Sequence, residues 1–76
     1  MTSAPDYEIR RKRESQRKRL KVLQMAGYCF AEKGFKKTTM EDVAKRAGVS
    51  KGLVFHYFVS KQAIFKAVID DGLMQW

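Results

Sequence analysis

The chain has 76 residues, with 16 Lys+Arg against 8 Asp+Glu and a formal net charge of +8. That length allows one small domain with a marginal core and excludes a catalytic cleft between two subdomains. One cysteine (Cys29) and one histidine (His56) exclude an internal disulfide framework and argue against a zinc site, while a pI near 9.9 points to polyanionic partners, nucleic acid ahead of membrane.

The charge is unevenly spread. Residues 1–21 carry eight basic side chains against Asp6, Glu8 and Glu14, and residues 33–51 carry six against Glu41 and Asp42. Residues 22–32 carry only Glu32, residues 52–59 carry no charge, and residues 60–76 balance Lys61 and Lys66 against Asp70 and Asp71. Residues 1–14 are expected to be a basic, flexible leader. A solvated charge run and a segment that follows a phosphate backbone or enters a minor groove are both open for it.

The first helix is expected from about Ser15 to Lys33. Val22, Leu23, Ala26, Cys29 and Phe30 fall on one apolar face, and Gly34 ends the helix. It has room to extend upstream, because no breaker lies between Asp6 and Met25, and Ser3 with Asp6 resembles a capping box. The longest uncharged stretch, Val22–Ala31, is half of the roughly 20 residues a membrane span needs. It starts too late for a signal peptide and runs into Glu32-Lys33 without a small-residue cleavage site. The chain is therefore expected to be soluble and cytoplasmic.

The second helix is expected over about Met40–Ala47, with Thr38 or Thr39 as its cap and Met40, Val43, Ala44 and Ala47 buried. Gly48 ends it and Ser50 can start the next helix at once. Helix, short Gly-containing turn, helix is the pattern of a helix-turn-helix. The third helix, about Lys51 to Tyr57, turns Val54 and Phe58 inward. Lys51, Gly52, Leu53 and His56 face outward. Phe55 stays open, outward by position but core by residue type. Ser60 caps a fourth helix expected over Lys61–Trp76, whose apolar face of Ile64, Phe65, Val68, Ile69, Leu73 and Trp76 exceeds what so small a domain covers.

The run T-T-M-E-D-V-A-K-R-A-G-V-S-K-G-L-V-F-H-Y-F-V-S-K, from Thr38 to Lys61, resembles the DNA-binding region of TetR-type bacterial transcriptional regulators. V-L-Q-M-A-G-Y-C-F-A-E-K-G-F, Val22 to Phe35, fits the first helix and glycine turn of that family. The resemblance implies an all-α fold: a homeodomain-like three-helix head over 15–59 and, over 60–76, the start of a connector helix. The connector would lead to a ligand-binding and dimerising domain that this sequence does not contain. It also implies a homodimer in the full-length protein, a palindromic double-stranded DNA operator and, for the other domain only, a small-molecule inducer. No cofactor is implied.

Position by position, the resemblance places Thr39 and Lys61 on phosphate and Lys51, Gly52 and Leu53 in the groove. His56 and Tyr57 would reach bases or backbone. Phe55 stands where the family most often has tyrosine, so a hydroxyl contact to phosphate is lost or moved. Arg17 and Ser50 complete the expected DNA-binding set. Positive charge at Arg17 opposes the helix dipole, which makes sense beside DNA. Pure capping by Thr39, a solvated Lys61, a surface His56 and a core Tyr57 are the plainer alternatives. Two functional classes remain: a sequence-specific regulator, and a basic helical module binding nucleic acid or anionic membrane without sequence choice. An enzyme is a distant third, since no paired carboxylates, nucleophile–base set or Gly-rich phosphate loop is present.

Overall fold

The computed structural model describes residues 5–72. Four helices follow in order: α1 (Asp6–Lys33), α2 (Met40–Ala47), α3 (Lys51–Tyr57) and α4 (Lys61–Asp70). No strand occurs among the described residues, so the all-α expectation holds.

α1 departs most from expectation. It begins at Asp6, capped by Pro5, rather than near Ser15. The flexible leader expected over residues 1–14 is thus corrected from Asp6 onward. Pro is favourable at a helix start because its missing N–H has no partner there, and Asp6 and Glu8 in the first turn complement the dipole. Ser3, the other half of the suggested capping box, lies outside the described residues. From Asp6 to Lys21 every residue is exposed except the half-buried Ile9. Burial starts at Val22. α1 therefore has two parts: a projecting basic segment roughly 24 Å long at 1.5 Å per residue, and a core segment.

The core segment buries Val22, Leu23, Ala26, Gly27, Cys29 and Phe30. Gly34, at φ 82°, ends α1 and donates its N–H to the Phe30 carbonyl. Thr38 is buried, and its hydroxyl donates to the carbonyls of Gly34 (2.8 Å) and Cys29 (3.1 Å). The two candidate caps are thereby told apart. Thr38 ties the loop to α1, and Thr39 caps α2 in a reciprocal box with Asp42: its Oγ1 accepts from the Asp42 N–H (3.1 Å) and its own N–H donates to Asp42 Oδ2 (3.0 Å).

α2 buries Met40, Val43, Ala44 and Ala47 as the periodicity predicts. Gly48 closes it in the left-handed region at φ 71°, ψ 32°, where a side chain would be strained. Ser50 then accepts from the Leu53 N–H (3.1 Å) to open α3. One αL glycine and one capping serine thus turn the chain between helices, with Val49 half-buried beneath. Val54 and Phe58 join the core from α3.

α4 is capped by Ser60 as expected, its Oγ accepting from the Ala63 N–H. It ends at Asp70, short of the expected Trp76, with Asp71 and Gly72 in a turn. Leu73 and Trp76 of the expected apolar face lie outside the described residues. Ile64 and Val68 are fully buried and Ile69 is exposed. Phe30, Phe35 and Phe65 meet in one aromatic cluster, with ring centroids 5.1–5.8 Å apart, that joins α1, its loop and α4. No described helix is long and apolar enough to cross a membrane.

Candidate nucleic-acid interface

Three ion pairs among the described residues set the frame around α2. Lys33 meets Asp42 at 3.1 Å, Arg46 meets Glu32 at 2.6 Å, and Lys51 pairs with Glu41. The first two bind α2 to the end of α1; the third joins α2 to α3. All are at least partly exposed, so each contributes at most modestly to stability. Their effect on the carboxylates is directional. Asp42 is held below the ordinary carboxylate range, chiefly by the Thr39 N–H and then by Lys33. Glu32 is lowered by its hydrogen bond from Arg46, and Glu41 by its hydrogen bond from Lys51. Arg46 also lies over the Tyr28 ring at 5.6 Å.

α3 presents its residues in three directions. Val54 and Phe58 point to the core. Gly52, Phe55 and His56 lie on the opposite, exposed side. Between them, Lys51 leans to α2 through Glu41, while Leu53 and Tyr57 are half-buried, Tyr57 on the side of α1. Phe55 is 43% exposed, with the Lys51 ammonium 5.9 Å above its ring, which resolves it as a surface aromatic. The His56 and Tyr57 rings meet edge to face at 5.1 Å.

Gly52 has no internal reason to be glycine. It lies in ordinary helical space, and a Cβ there would meet only Ser50 Oγ at 3.9 Å, normal contact. Glycine in a helix is destabilising relative to Ala, so this residue lowers helix stability without relieving any clash within the chain.

The remaining expected site residues separate. Thr39 is exposed at the N-terminus of α2, and Ser50 is exposed at the start of α3. Lys61 is not an open cation. Its Nζ donates to the Phe35 carbonyl (2.6 Å) and reaches the Lys36 carbonyl at 3.4 Å, 4.3 Å above the Phe35 ring. The side chain anchors the α1–α2 loop, and one of its three N–H donors is left for an outside acceptor. Arg17 is not brought to the others. Ser15 Oγ lies 3.3 Å from Tyr57 Oη, so Ser15 marks the side of α1 that looks at α3. At about 100° per residue Arg17 points to the far side of α1.

Arg19, absent from the expected set, is placed beside α3 instead, its guanidinium 5.0 Å from the Phe58 ring centre. Helical phase relative to Val22 would have revealed this, since Arg19 lies three residues before it on the same face. Cys29 is buried, and burial is the main influence raising its thiol above the ordinary value. It packs as a small apolar residue.

Residues 22–68 match the family model described as bacterial regulatory proteins, tetR family. The chain is 37% identical over 62 residues, 82% of its length and 30% of the relative's, to the uncharacterized HTH-type transcriptional regulator YfiR of Bacillus subtilis. It is 39% identical over 56 residues to the HTH-type transcriptional repressor KstR2 of Mycolicibacterium smegmatis, covering 74% of this chain and 27% of that protein. With the HTH-type transcriptional regulator UidR of Escherichia coli the identity is 36% over 56 residues, 74% of this chain and 29% of the relative. The chain thus spans less than a third of the length of each of these relatives. No solved structure gives a significant match.

Proposed function

The chain belongs to the tetR family of bacterial regulatory proteins, and from that premise we propose that it is the DNA-reading head of a cytoplasmic transcriptional repressor. α3 enters the major groove of double-stranded DNA. The carrying observation is the outward side of α3, where Gly52, Phe55 and His56 stand exposed and glycine is explained by nothing inside the chain. Gly52 lets the helix backbone come close to the groove floor. His56 can hydrogen-bond a base edge, and Phe55 offers apolar contact of the kind a thymine methyl accepts. Lys51, once it leaves Glu41, reaches an acceptor such as guanine O6 or N7.

The flanking residues position the helix. The Thr39 hydroxyl and the N-terminus of α2 supply donors to a phosphate. Ser50 opens α3, Leu53 and Tyr57 border the groove, and Lys61 offers its remaining N–H to the backbone. Arg17 carries no part in this set. The protein acts as a homodimer on a palindromic operator through a domain outside this sequence, which also takes a small-molecule inducer. Its role is non-catalytic. The repressor assignment draws support from the relative named as one.

The test is selection of bound sites from random duplex DNA by the dimeric protein. A recurring palindrome, bound roughly 10³-fold or more above random duplex, is expected. Equal competition by random duplex would leave only the class of non-specific basic modules.

A further inference from the structure

The projecting part of α1 is a second charged element, and its helical phase divides it. The eight basic residues of this segment split evenly. With Ser15 taken as the direction of α3, Arg11, Lys12, Lys18 and Arg19 fall within about 60° of it. Arg10, Arg13, Arg17 and Lys21 fall within about 60° of the opposite direction. The roll of the helix is set by two contacts on α3: Ser15 Oγ to Tyr57 Oη at 3.3 Å, and Arg19 on the Phe58 ring at 5.0 Å. A shallow groove lined by Glu8, Arg11, Lys12 and Ser15 continues the same face away from the core.

We propose that this front face of α1 is a phosphate-binding surface continuous with α3, so that Arg11, Lys12, Lys18 and Arg19 engage the backbone of the duplex that α3 reads, while Arg10, Arg13, Arg17 and Lys21 do not. The proposal rests on the DNA-binding function above. Two observations support it. The front face meets α3 at Tyr57, whose ring touches that of the outward-facing His56. None of the three ion pairs among the described residues involves a cation of this segment.

Geometry separates the two faces electrostatically. A helix with its side chains is about 10–12 Å across, and the Debye length at 0.1 M salt is about 10 Å. Charges on the back are thus about one screening length farther from a phosphate met by the front. The shallow front groove and the existing helix also require no ordering on binding, unlike a flexible leader that would have to fold.

Two charge-matched variants of the intact protein test this. One carries Arg11→Gln, Lys12→Gln and Lys18→Gln; the other carries Arg10→Gln, Arg13→Gln and Arg17→Gln. Arg19 is left in place because of its packing on Phe58. Binding to a 30-base-pair duplex of mixed sequence, at about that length to span the site, is followed by fluorescence anisotropy across a series of KCl concentrations, with circular dichroism to show equal helix content. For the front variant, affinity near 0.1 M falls roughly tenfold or more, and the slope of log K against log salt shallows by about 2–3. For the back variant, the loss stays under about threefold and the slope holds. Equal losses in the two variants would show that only net charge matters and overturn the proposal. Parent-like binding by the front variant would overturn it as well. In both cases the DNA-binding function survives, because the parent binds duplex. A parent that binds no duplex at any salt removes that function and the proposal together. A front-specific loss on phosphatidylserine vesicles but not on duplex would reassign the surface to anionic membrane and refute the DNA assignment.

Discussion

Replacing Gly52 by Ala sets folding and binding against each other. In the free protein the added methyl meets only Ser50 Oγ at 3.9 Å, so no atom has to move. Gly→Ala at a compatible position stabilises by about 0.4–1 kcal/mol, mainly by narrowing the unfolded ensemble. Gly52 is in the first turn of α3, where the gain falls toward the low end, about 0.5 kcal/mol. For a chain of 76 residues, 1 kcal/mol corresponds to roughly 4–8 °C in Tm, so the expected rise is about 2–4 °C. In the proposed complex the same methyl would lie between α3 and the groove floor. Overfilling a packed contact costs about 1–3 kcal/mol, which is roughly a 5- to 150-fold loss of affinity. Thermal unfolding followed by circular dichroism gives the first quantity and anisotropy on the selected operator gives the second. The signature is opposite signs: a more stable protein that binds more weakly. Raised Tm with unchanged affinity would remove Gly52 from the interface. Falls in both would show that the glycine is needed for folding, against the open space around it.

Two further outcomes follow from the same geometry. Lys61→Met keeps the apolar stem over Phe35 but loses the donor to the Phe35 and Lys36 carbonyls. After discounting for its half-exposed position, about 1 kcal/mol of stability goes with it. The salt slope for duplex binding shallows by about 0.9, one phosphate's share, and an unchanged slope would leave Lys61 as a loop anchor alone. Acid acts through Asp42, Glu32 and Glu41, all held below the ordinary carboxylate range in the folded chain, by the Thr39 N–H, by Arg46 and by Lys51 respectively. The unfolded chain takes up these protons first. The contribution is therefore complete above about pH 5 and is lost as pH falls through the ordinary range to the lowered values. Urea midpoints should be level from about pH 8 to 5.5 and decline below about pH 4.5, less steeply in Asp42→Asn, whereas a parent midpoint constant to pH 3 would contradict the assignment.

Local rules made much of this molecule legible. The apolar spacing of Val22, Leu23, Ala26, Cys29 and Phe30 marked the buried side of α1, and Met40, Val43, Ala44 and Ala47 did the same for α2. Gly48 and Ser50 marked the turn, because αL backbone and side-chain capping are properties of one residue and its near neighbours. The start of α1 was harder to place. Repelling cations argue for a flexible leader, yet Pro5 as a cap and a chain free of breakers extend the helix to Asp6.

Tertiary structure decided what depends on direction between elements. The capping roles of Thr38 and Thr39 could be exchanged by pattern alone; the buried carbonyls of Gly34 and Cys29 claim the first and leave the second for α2. Lys61 looked like a free cation until the α1–α2 loop brought two carbonyls to it. Arg17 and Arg19 are two residues apart and chemically alike. Helical phase relative to Val22 puts Arg19 on the core side and Arg17 opposite, but the contacts of Ser15 with Tyr57 and of Arg19 with Phe58 show that the element met on that side is α3. Periodicity along a helix defines its faces; which neighbour each face meets is set by packing of the whole chain.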